Sequence, residues 1–149
     1  MRVSFDIDDT LVCSTAPVPS EPSWFAWLAS AEKLRLGTRS LLRQLRGRGC
    51  ETWIYTSSCR SPFMLRLWLL AYGIQVDGIV NEERHRRQLQ GRLFARVPSK
   101  YPPAFAIDLH VDDSEGVRIE GERHGFRVIV VSPDDTDWTQ RVLEAVSGL

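Results

Sequence analysis

Three aspartates fall within four residues in the stretch "VSFDIDDTLV", where Asp6, Asp8 and Asp9 are pressed against an apolar run. A second acidic pair, Asp112 and Asp113, ends another apolar run in "HVDDS". Desolvating an unpaired carboxylate is costly, and neighbouring carboxylates raise one another's pKa. Gathered in one site, these groups would suit a divalent cation. Mg2+ takes oxygen ligands from one or two carboxylates, keeps several waters and shares ligands with substrate phosphates. Beside such a cation the cluster no longer repels a phosphate, and one carboxylate can act as a nucleophile.

For these residues to act together, the elements must deliver them to one place. "RVSFDI" reads as a short buried strand ending near Asp6, and "CETWIYTSS" as a second with its polar end at Thr56–Ser58. "VDGIVN", "AFAIDLHVDDS" and "FRVIVVSP" read as the remaining three. Helices are expected over "WFAWLASAEKLRL", over "GTRSLLRQLRGRG" with Thr38 as N-cap and Gly47 or Gly49 as the stop, from Pro62 to Gly73, and over "DWTQRVLEAVSGL". Strands alternating with helices imply parallel pairing through right-handed crossovers. The expected fold is therefore an α/β three-layer sandwich around a mostly parallel, five-stranded, Rossmann-like sheet. In such sheets ligands bind at the carboxyl ends of the strands, where Asp6/Asp8, Thr56/Ser57 and Asp112/Asp113 all fall. In an extended segment residues i and i+2 point the same way, so Asp6 and Asp8 reach one substrate while Ile7 turns into the core.

"FDIDDTL" resembles the first motif of the haloacid-dehalogenase-like (HAD) hydrolase superfamily, an apolar strand followed by Asp-x-Asp-x-Thr. The resemblance continues through a Thr/Ser after an apolar strand, a downstream lysine and the acidic "HVDDS". It implies a Mg2+-dependent phosphatase of phosphate monoesters. Asp6 would attack phosphorus and form an aspartyl-phosphate; Asp8 would protonate the leaving oxygen and then activate water. Thr56, with Ser57 as the alternative one residue on, would bind the transferring phosphoryl. Lys100 would offset its charge, with Arg60 and Arg96 as substitutes. Mg2+ would be held by Asp6, the backbone carbonyl of Asp8, and Asp113, with Asp112 assisting. Asp9 and Thr10 are then turn supports. A phosphotransferase of the same fold and a weakly active regulatory or binding protein remain alternatives, and a receiver-type phosphoacceptor is disfavoured by the position of Asp6.

Neither residues 11–55 nor the interval from Thr56 to Lys100 leaves room for a full cap domain. Residues 1–149 are expected to form one HAD-like domain with a small flap or minimal cap at 12–37. By resemblance, such capless members take large substrates, so a phosphoprotein or a nucleic-acid end is a candidate partner. Lys plus Arg and Asp plus Glu each number 19, which gives no overall field favouring nucleic acid or membrane. Cys13, Cys50 and Cys59 lack metal-type spacing and read as reduced thiols. The absence of a signal-type N-terminus and of a spanning apolar stretch points to a cytoplasmic protein. Trp24, Phe25 and Trp27 read as core or as an aromatic wall beside the site. The basic run "RHRRQLQGRLFAR" reads as a solvated face or a phosphate-recognition surface. His110 reads as a satisfied core histidine without a catalytic role.

Overall fold

The apolar run ahead of Asp6 forms β1 (Arg2–Phe5), the central strand of the sheet in the computed structural model. The structure describes residues 1–14, 18–23, 30–94 and 96–148. The other strands are β2 (Glu51–Tyr55), β3 (Gly78–Val80), β4 (Leu109–Asp112) and β5 (Arg127–Val130). All pairs are parallel, in the order β3-β2-β1-β4-β5. The chain builds outward from β1 through β2 and β3, then crosses to β4 on the other side of β1. That reversal opens the crevice where open α/β sheets bind ligands.

Alternation along β1 sends Val3 and Phe5 to one face of the sheet and Ser4 and Asp6 to the other. Val3, Phe5 and Ile54 enter the main core with Leu41 and Leu45 of α1 (Thr38–Gly47), Trp68 and Leu69 of α2 (Pro62–Ala71), and Val142 of α5 (Trp138–Ser147). Each such buried side chain contributes roughly 1.5–3 kcal/mol relative to exposure. A smaller cluster of Tyr55, Val80, Phe105 and Ile107 covers the opposite face. It is over this second face that the polar residues of β1 and β4 lie.

Several local expectations are corrected. Thr38 is the first residue of α1 rather than its cap; its hydroxyl donates to the Arg35 carbonyl at 2.7 Å. The cap position belongs to Gly37 (φ 92°), and the Glu21 carboxylate accepts from the Gly37 and Arg39 amides, both at 3.0 Å. A long-range acidic cap at an N-terminus also suits the helix dipole. Trp24, Phe25, Trp27 and Leu28 lie outside the described residues, and the described continuation of their expected helix, residues 30–36, is irregular. Two helices went unread: α3 (Glu82–Leu89) and α4 (Glu115–His124). In α3 only His85 and Leu89 are buried, too short an apolar stripe to register as a period. In α4 the buried pair is Val117 and Gly121, and a side chain at Gly121 would lie 2.7 Å from the Phe126 carbonyl. The glycine that disguises α4 in the sequence is what lets it close onto the start of β5.

Candidate active site

Lys100, expected to fill the third-motif role, is where the structure is most informative. Lys100 precedes a proline pair, and "PPAF" forms a single 3-10 turn (Pro102–Phe105) rather than an α-helix. Lys100 is nonetheless buried (3% exposed), and its Nζ donates to Asp6 Oδ1 at 2.5 Å and to Asp112 Oδ2 at 2.7 Å. The loop delivering it is held from three sides. The Ser99 amide and hydroxyl donate to Glu120 of α4, the Tyr101 amide donates to the Tyr55 hydroxyl at 2.8 Å, and the Pro98 carbonyl bonds His85. The Tyr55 hydroxyl also meets His85 Nδ1. Having accepted from Tyr101, it donates to a neutral imidazole, and burial favours that form by pushing the His85 pKa down.

Asp112 is held by three donors. Its Oδ2 takes Lys100 and also His110 Nε2 at 2.9 Å, and its Oδ1 takes the Ser114 amide at 2.9 Å. The far side of the His110 ring, Nδ1, lies 2.8 Å from Ser4 Oγ. The sheet register makes this line: Ser4 pairs with His110, so Asp6 and Asp112 follow two residues on along the same face. Burial works against ionisation of Asp112, but the His110 hydrogen bond and the Lys100 charge outweigh it and hold the carboxyl well below the usual range. For Asp6, burial prevails over the opposing Lys100 charge and pushes the pKa up. His110, fully buried, is kept neutral by that burial. It therefore donates to Asp112 and accepts from Ser4, a supporting contact that spacing alone did not disclose.

Asp8 stands in different surroundings. Its side chain is 54% exposed, and Arg60 grips it with NH1 to Oδ2 and NH2 to Oδ1, both at 2.7 Å. The same guanidinium reaches Glu32 at 2.5 Å and Ser58 Oγ at 3.2 Å. Hydrogen bonding to Arg60 lowers the Asp8 pKa against a smaller cost of burial. Arg60 thus serves Asp8, whereas Lys100 is the cation on Asp6; Arg96 is exposed. Asp9 adopts a left-handed φ of 55°, and its amide donates to the Val12 carbonyl at 2.7 Å, which suits turn support. Thr10 is fully buried in the same turn.

Thr56 leaves β2 beside β1, with Phe5 opposite Ile54 in the register. It is buried while Ser57 is exposed, and its Oγ1 accepts from the Ser58 amide at 3.1 Å, shaping the loop that carries Arg60. Oxygens of Asp6, Asp112 and Asp113 lie within 4.8 Å of one another, a hard, all-oxygen donor set that fits Mg2+. The Asp8 carboxylate is outside that group; its expected contribution is the backbone carbonyl. Of the basic run, Arg84 packs over Trp53 and Phe105, whereas Arg86, Arg87 and Arg92 line a groove with Glu82 and Glu83. Arg87 pairs with Glu83, so the run is structural in part and charge-balanced in part.

No family model matches the sequence. No curated protein matches it either. Solved structures match the fold. A HAD-like family hydrolase from Porphyromonas gingivalis superposes with a TM-score of 0.52 at 12% identity over 97% of both chains. The HAD domain of the effector Lem4 from Legionella pneumophila, solved as an inactive mutant, gives 0.55 at 12% over 98% of this chain and 92% of that one. A chain of the Pnkp1/Rnl/Hen1 complex gives 0.55 at 13% over 87% of this chain. The present chain spans only 45% and 41% of the chains it matches in two structures of that complex, one described as an RNA repair complex. The chain has a HAD-like fold, as its opening motif foretold. Among the described residues no helix is long and apolar enough to cross a membrane.

Proposed function

We propose that the chain is a Mg2+-dependent phosphatase of phosphate monoesters that works through an aspartyl-phosphate on Asp6. One observation carries this reading: Asp6 meets Lys100 and Asp112, 94 and 106 positions away in sequence, at the carboxyl edge of the central strands. In this reading Asp6, Asp112, Asp113 and the Asp8 carbonyl hold the cation, which offsets phosphate charge when bound. The chain's own residues then divide the work. Asp6 attacks phosphorus in line, forming its Oδ–P bond as the P–O bond to the leaving group breaks. Asp8 gives a proton to that leaving oxygen. It then takes one from water, whose oxygen attacks phosphorus and releases Asp6 and inorganic phosphate. Lys100 opposes the pull of burial on Asp6 and lies against its carboxylate, and the Thr56 hydroxyl or the Ser57 hydroxyl and nearby amides receive the transferring oxygens.

The chain would act as one domain that carries a small flap or minimal cap at residues 12–37. The likeness to an RNA repair complex component supports a phosphorylated nucleic-acid end over a phosphoprotein as substrate. The test is release of nitrophenol from an aryl phosphate with Mg2+ or with EDTA. Metal-dependent release, reduced at least about a thousandfold in Asp6→Asn, is expected for a lost covalent nucleophile. Turnover that survives either EDTA or that substitution overturns the reading.

A further inference from the structure

Arg60 presents an arrangement that the hydrolytic scheme leaves unexplained. All four N–H groups of its NH1 and NH2 are engaged: NH1 with Asp8 Oδ2 and Ser58, NH2 with Asp8 Oδ1 and Glu32. Both oxygens of the residue assigned to protonate the leaving group are therefore covered. Lys100 already faces two carboxylates, Asp6 itself and Asp112, on the side of the transferring phosphoryl. Arg60, by touching Asp8, sits on the side of the leaving group.

We infer that Arg60 selects phosphomonoesters whose leaving group carries a second phosphate near the ester oxygen, and that Glu32 holds the place of that phosphate in the free protein. This rests on the phosphatase reading above. The guanidinium fork matches phosphate oxygens in pairs, and Arg60 is tied down on its outer edge by a single Glu32 oxygen. The Glu32 side chain is 36% exposed and the Arg60 side chain 27%, so Glu32 can return to water at little cost while an incoming anion takes its place. As the second phosphate draws the guanidinium outward, an Asp8 oxygen is freed to face the leaving oxygen. A neutral leaving group offers nothing in exchange for Glu32 and leaves Asp8 covered.

The test uses Asp6→Asn protein, which binds without turnover, and titrates a nucleoside 3′,5′-bisphosphate against the matched monophosphates. Charge-assisted hydrogen bonds of this kind predict a preference for the bisphosphate of roughly ten- to a hundredfold. The preference should vanish in Asp6→Asn/Arg60→Gln, shrink in Asp6→Asn/Arg60→Lys, and grow a few-fold, about three, when Glu32→Gln removes the competitor. A preference that survives Arg60→Gln, or that is missing with Arg60 present, overturns the inference. Melting curves of each variant establish that it is folded. A dinucleotide with a terminal phosphate carries the same pair of phosphates in chain form. Tighter binding of it assigns the second phosphate to a nucleic-acid end, and weaker binding to a free nucleotide. Hydrolysis by the wild type separates the two readings. Aryl phosphate turnover without a bisphosphate preference sinks only the role of Arg60, whereas no turnover of any monoester sinks both.

Discussion

The two cation–carboxylate assemblies at the mouth of the sheet differ in nearly every physical respect. Around Lys100, Asp6 and Asp112 are almost fully buried, and their support continues inward through His110 to Ser4. Around Arg60, Asp8 and Glu32 are half exposed and reach the guanidinium from loops. A buried pair is expensive to break because its partner is left as an uncompensated charge, whereas an exposed pair is worth about 1 kcal/mol or less. Asp6, the proposed nucleophile, is therefore held in a fixed setting, while Asp8, proposed to handle a proton and meet varied leaving groups, is held loosely. Rigidity and exchangeability are assigned to different elements: strands β1 and β4 for the first, the loops after β1 and β2 for the second.

The sharpest way to break this contrast is Lys100→Met. It leaves Asp6 and Asp112 facing each other without the cation they share, and a loss of about 3–5 kcal/mol in urea unfolding is expected together with a fall in kcat of at least about a hundredfold. Next comes His110→Phe, which takes a donor from Asp112 and an acceptor from Ser4. A stability loss of about 1–3 kcal/mol is expected, and a weakening of divalent-ion binding of roughly ten- to a hundredfold, read by metal titration of the melting temperature. The pH dependence has a definite sign. Burial lowers the pKa of His85 and His110 in the fold, so the unfolded chain binds more protons below its own histidine pKa near 6.5. Stability should be intact above about pH 7 and decline as pH falls below that unfolded value, with a shallower decline in His85→Gln. The smallest effect is expected from Arg60→Gln, which should change unfolding free energy by about 1 kcal/mol or less. A large loss there, or a negligible one at Lys100, would erase the distinction between the two assemblies.

Much of this was legible before any coordinates. The alternation of apolar strands with helices specified the parallel sheet, and the acidic strand ends marked its carboxyl edge. Lys100 was the hardest residue to read, because a lysine before adjacent prolines carries every mark of a surface residue. What buries it is long-range: the Tyr55 hydroxyl, His85 and Glu120 fix a loop that has no helical period. His110 was legible as a core residue but not as a support for Asp112, since that role depends on which strand lies beside β4. Arg60 was noted as a possible substitute for the lysine, and only the conformation of its loop directs it to Asp8 instead. Local pattern encodes elements and strand ends; partnerships between side chains a hundred positions apart need the register.

The pairing of β1 with β4 has a further consequence, for the order of events during synthesis. Val3 to Phe5 align with Leu109 to Val111, so the strand that leads into Asp6 waits for a partner made 106 residues later. Closing so long a loop costs entropy that only the finished contact repays, and such distant pairings come late in folding. A nascent chain that has already produced Asp6 thus has β1 exposed along one edge and no lysine or second acid beside the carboxylate. Assembly and completion coincide in this molecule: a partially made or partially unfolded copy lacks the joined Asp6–Lys100–Asp112 centre on which the proposed chemistry depends.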